Sequence, residues 1–112
     1  MRYENGFTIE ETTVTNEPGI HARPSAFIVK RCNPYLVENK NIEIYLAKTK
    51  SPEEKASCFS IMDLMTLEAS RGTKLLVYIK GTDERAQRIC REVSDLVSGD
   101  FEGASNKPAS KI

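Results

Sequence analysis

A chain of 112 residues is the size of one domain with one modest core. Its 16 Lys plus Arg balance 16 Asp plus Glu, so no net basic excess draws it to nucleic acid or an anionic membrane. Cys32, Cys58 and Cys90 include no CxxC pair and are joined by a single histidine, which excludes a Cys/His zinc set and predicts reduced core thiols, no metal and no cofactor.

The first residues, MRYENGFTIEE, are too polar for a secretory signal, and no apolar run reaches the length of a membrane span. A cytoplasmic protein is expected, with residues 1–7 as a short leader. TIEETTVT, residues 8–15, reads as a strand from its β-branched residues, with Thr8, Glu10, Thr12 and Val14 on one face. Pro18-Gly19 then breaks the chain. Ala22, Ala26, Val29 and Cys32 recur at helical spacing, and Pro24 suits a first turn whose amides lack partners. Asn33-Pro34 is expected to end that helix.

IEIYL, residues 42–46, alternates cleanly and predicts a half-buried strand; KASCF, residues 55–59, predicts a strand leading back after a charged loop. Ser60 followed by Asp63 reads as a capping box opening a helix that Gly72 ends. TKLLVYI, residues 73–79, is the strongest strand, and Gly81-Thr82-Asp83 turns the chain into a last helix. Ala86, Ile89, Cys90, Val93, Leu96 and Val97 give that helix its stripe, and Gly99 closes it. The order β-α-β-β-α-β-α predicts an α+β open-faced sandwich: a four-stranded antiparallel sheet with three helices on one face. Residues 102–112 have little to bury and are expected to form a flexible tail, leaving 8–101 as the domain.

The lone histidine lies in PGIHARPSAF, residues 18–27. With His21 at the N-cap, the helix presents unpaired amides and the positive end of its dipole beside the ring. An anion attached to the ring then sits in a phosphate site made of amides, and Arg23 adds a forked cation suited to phosphate oxygens. The alternative is a histidine that merely caps a helix. The helix after Ser60 is apolar at 61, 62, 64, 65 and 67, more than one face buries. Leu64 and Leu67 are expected inward and Ile61, Met62 and Met65 partly outside as an adaptable binding patch. In the competing arrangement all five sit in the core.

Residues 19–24, GIHARP, resemble the active-site motif of the HPr family, the histidine-containing phosphocarriers of the bacterial phosphoenolpyruvate-dependent phosphotransferase system. SIMDLMTLEASRGT, residues 60–73, is similar to the family's second signature, a serine-led short helix followed by an Arg-Gly step into a strand. The resemblance implies that His21 accepts a phosphoryl group from phosphorylated enzyme I and passes it to a IIA-type protein. It implies that Arg23 contacts the phosphate, that Pro24 shapes the first turn, and that Ala22, Ile61, Met62 and Met65 meet partners. Ser60 matches a position that an HPr kinase/phosphorylase modifies in some bacteria. The chain is then a monomeric carrier acted on by enzymes and not itself an enzyme. The alternative is a regulatory binding module of the same fold, acting through phosphorylation of Ser60.

The family pattern is broken in places. Residues are inserted around 35–39 and 48–54. Phe59 stands where kinase-regulated members carry lysine, and Asp63 where glycine or lysine is common. Glu68 stands where sugar-system members carry glycine; this and the LVSGDF ending are similar to the nitrogen-related branch.

Overall fold

The structure, a computed structural model, describes residues 1–17 and 19–99. Pro18 of the expected Pro-Gly break and the expected tail, 102–112, lie outside the described residues. The elements run β1 (Arg2–Glu4), β2 (Phe7–Thr13), α1 (Ala22–Glu38), β3 (Ile44–Lys48), β4 (Ala56–Ser57), α2 (Ile61–Thr66), β5 (Lys74–Lys80) and α3 (Glu84–Ser98). All strand pairs are antiparallel, in the order β1-β2-β5-β3-β4. The α+β open-faced sandwich is therefore present, with five strands instead of four.

The additional strand comes from the segment expected as a leader. Asn5 and Gly6 both have positive φ, 51° and 81°, the backbone that a two-residue type I′ hairpin requires. Arg2, Tyr3 and Glu4 thus pair with Ile9, Thr8 and Phe7. An Asn-Gly pair between strand formers is the sequence signal that marks this hairpin.

β5 lies at the centre because it is buried on both faces: Leu75 to Ile79 are all buried. Leu75, Val77 and Ile79 join Ile44, Leu46 and the helix stripes in the main core, including Ile28 and Cys32 of α1, Leu64 of α2, and Ile89 and Val93 of α3. Leu76 and Tyr78 face the other way and form a smaller cluster with Ile9 and Ala47, flanked by Phe7 and Tyr45. The Lys55 ammonium lies 4.5 Å from the Tyr78 ring centroid and covers part of this helix-free face. The weak alternation of β2 has a physical explanation. Its buried Thr8 and Thr12 hydroxyls donate to Gly81 O at 2.7 Å and Ser94 O at 3.0 Å, so these polar residues occupy core positions at little cost.

Two helix boundaries differ from expectation. α1 does not stop before Pro34; it continues to Glu38, and the Asn39 N–H closes it on Tyr35 O at 3.0 Å. Pro34 removes the bond to the Lys30 carbonyl, but both residues are exposed, where water can solvate that oxygen. Beyond the proline, Tyr35 and Leu36 pack on the core, and the Tyr35 hydroxyl donates to the Glu92 carboxylate on α3. Burial, together with that hydrogen bond, holds the Tyr35 phenol well above its ordinary pKa. α2 is shorter than expected: it ends at Thr66, and the chain turns at Glu68 with φ 51° before Gly72 is reached.

All three thiols are buried and free. Burial pushes the Cys90 thiol up to about 12, and hydrogen bonding to Cys32 together with burial raises that of Cys58.

Candidate functional site

The segment before α1 is fastened to the segment before β5 by a run of main-chain bonds. Val14 N–H donates to Thr73 O at 3.0 Å, Gly72 N–H to Val14 O at 2.7 Å, and Ile20 N–H to Ala69 O at 2.8 Å. Gly19 sits between these anchors at φ 120°, and a Cβ there would meet Ala69 O at 2.4 Å and Ser70 Cα at 2.7 Å. Only glycine fits both this conformation and this closeness. Asn16, which the sequence reading passed over, is buried, and its Nδ2 donates to Gly19 O at 3.1 Å. An asparagine ahead of Pro-Gly, able to bond main chain locally, was the available signal.

This frame delivers His21 to the N-cap of α1 in an extended conformation, φ −120° and ψ −152°. Its carbonyl accepts from Ser25 N–H at 2.9 Å, the first bond of the helix. The imidazole makes no capping hydrogen bond, His21 is exposed, and no acid occupies the first turn. Ala22 and Arg23 are exposed beside it, while Pro24 and Ser25 are buried and hold the turn against the body of the protein. Pro24 has no N–H, so it sacrifices nothing in the first turn and fixes φ there. An exposed ring nitrogen at the positive end of a 17-residue helix, with a guanidinium two residues on, is suited to carrying an anionic group.

Ile20, adjacent to His21, bonds Ala69 just past the end of α2, and α1 packs against α2. The same frame therefore brings the start of α1 beside the α2 segment. There Leu64 and Leu67 are buried at 0% and 6% exposure, whereas Ile61, Met62 and Met65 are 40%, 76% and 41% exposed. The patch lies outside, and the alternative of five core residues does not hold. Ser60 caps α2: its Oγ accepts from Asp63 N–H at 3.1 Å. The reciprocal arm of the expected capping box is displaced, because Asp63 Oδ2 accepts from Ser57 N–H at 3.2 Å and not from Ser60. Among the described residues, no cluster of His, Cys, Asp and Glu is arranged to hold a metal ion, and no helix is long and apolar enough to cross a membrane.

The family model for the PTS HPr component phosphorylation site matches residues 9–98. Phosphocarrier protein HPr of Xylella fastidiosa is 40% identical over 91 residues, 81% of this chain and 91% of that protein. This chain belongs to the HPr family.

The HPr of Chlamydia trachomatis is 32% identical over 101 residues, covering 88% of this chain and 81% of that protein. The crystal structure of HPr from Bacillus anthracis superimposes with a TM-score of 0.66 at 22% identity, covering 83% of this chain and 99% of that one. HPr proteins are phosphocarriers of the phosphotransferase system and not catalysts, and the fold of this chain is the HPr fold. β1 lies before the matched region and extends the sheet beyond β2.

Proposed function

We propose that this HPr-family chain carries a phosphoryl group on a ring nitrogen of His21, taken from phosphorylated enzyme I and handed to a IIA-type protein in the cytoplasm. In each hand-over a phosphorus–nitrogen bond to the donor histidine breaks as one to the acceptor histidine forms. The observation that carries this reading is the placement of the chain's one imidazole. It is exposed at the uncapped start of α1, with no acid in the first turn to oppose a phosphate. Arg23 contacts the phosphate oxygens, Pro24 sets the turn, and Ala22 with Ile61, Met62 and Met65 provides the partner surface. The domain that does this includes β1 and extends from there to residue 101, and the carrier works as a monomer.

Control through Ser60 by an HPr kinase/phosphorylase is the weaker reading. The Ser60 hydroxyl oxygen already accepts the Asp63 amide, and the Asp63 carboxylate one turn away opposes a second anion there. The carrier reading is tested by incubating the protein with phosphoenolpyruvate and enzyme I. Acid-labile phosphate is expected on the wild type and none on His21→Ala; a wild type that stays unlabelled, and gains only acid-stable label on adding ATP and an HPr kinase, lost in Ser60→Ala, would overturn it.

A further inference from the structure

The ends of β3 and β5 line a cleft of about 530 Å³ whose lining does not include His21. Lys48 and Lys50 stand on the β3 side, Arg71 and Lys74 on the segment that enters β5. Among the described residues, no acid lines it. The scaffold is main chain held in place: Lys48 pairs with Leu75 across the strands, Thr49 N–H donates to Lys74 O at 3.1 Å, and Thr73 N–H donates to Ser70 O at 3.0 Å. The nearest acids neutralise little of the charge. Glu17 lies 3.7 Å from Arg71 and Glu11 lies 3.9 Å from Lys74, both in exposed pairs, and such pairs contribute little. Lys48 and Lys50 form no ion pair with an acid among the described residues. In a chain whose 16 cations match 16 anions, four cations around one acid-free hollow are a local excess that bulk charge does not explain.

We propose that this cleft binds a small molecule carrying two phosphoryl groups. Its volume is that of a small-molecule site, and its concavity fits a compact ligand better than an extended strand. Four cations exceed the charge of a single phosphate dianion, whereas a diphosphate or bisphosphate supplies a charge that matches them. A second hollow that Lys48 also lines is smaller, about 260 Å³, and there Glu54 and Glu68 balance Lys48 and Lys55, so it has no cationic excess for such a ligand.

Nitrogen-15 NMR of the full chain, titrated with inorganic pyrophosphate at constant ionic strength, tests this. Saturable shifts are expected at the amides of Thr49, Lys50, Gly72 and Thr73, and they persist in His21→Ala. In Lys50→Gln/Arg71→Gln the affinity falls on the order of tenfold or more, with the remaining spectrum unchanged as evidence of folding. Shifts that never saturate, that are equal in the double variant, or that are confined to residues 21–25 would overturn the proposal. Transfer to His21 is scored separately, so either result stands without the other.

Discussion

Gly19 is the residue on which the geometry of His21 turns. It accepts from Asn16, passes within van der Waals distance of Ala69 and Ser70, and holds a φ of 120°. Gly19→Ala forces a Cβ to within 2.4 Å of a main-chain oxygen. Denaturant unfolding should show a loss of about 2 kcal/mol or more, combining backbone strain with displacement of a fastened segment; an unchanged midpoint would contradict this. Glu68 presents the opposite case. It is an exposed side chain held at φ 51° where no bond among the described residues requires its carboxylate. Glu68→Gly is expected to raise stability by about 0.5–1 kcal/mol, because glycine adopts that region without a Cβ penalty. A lower thermal midpoint in calorimetry would show that the carboxylate has a role the geometry does not reveal. At this scale, placement was legible where the residue type dictates it: His21 at the N-cap of α1, Leu64 inward, Met62 outward. Asn16 and the strained turn at Glu68 were not, because both depend on what the chain meets after folding.

Among the elements, α1 shows most clearly how tertiary packing overrides a local rule. A proline inside a helix costs about 3 kcal/mol, yet α1 continues for four residues past Pro34. The continuation buries Tyr35 and Leu36 against the core and ties Tyr35 to Glu92 on α3. Pro34→Ala should therefore restore the missing bond to Lys30 and stabilise the protein by about 1–2 kcal/mol, less than the full cost because the unfolded chain gains freedom. Hydrogen exchange should show stronger protection at residues 34–38; weaker protection would mean that the proline sets a required bend. Strand β5 was legible because burial on both faces leaves an unbroken apolar run, and α3 because its stripe keeps helical spacing throughout. β1 was missed, since three exposed residues carry no periodicity and only Asn5-Gly6 announces the turn.

For the whole molecule, the sheet and the helix layer act as one frame with two products. Bonds from Val14 and Ile20 to the segment before β5 fix the start of α1, and the same segment leads from α2 with its exposed Ile61, Met62 and Met65. Apart from β1, the element order and the helix layer could be read from the sequence because hydrophobic periodicity fixes both. The contact between Gly19 and Ala69 could not, being a meeting of segments fifty residues apart in the chain. The central claim is that this frame holds an exposed imidazole ready to carry phosphate. Its most direct measurement is NMR of the His21 ring after the protein is mixed with phosphoenolpyruvate and enzyme I. The account predicts a new ring-nitrogen signal coupled to phosphorus, which returns to the starting spectrum as phosphate leaves. An unchanged imidazole in protein that has nevertheless gained phosphate would contradict it.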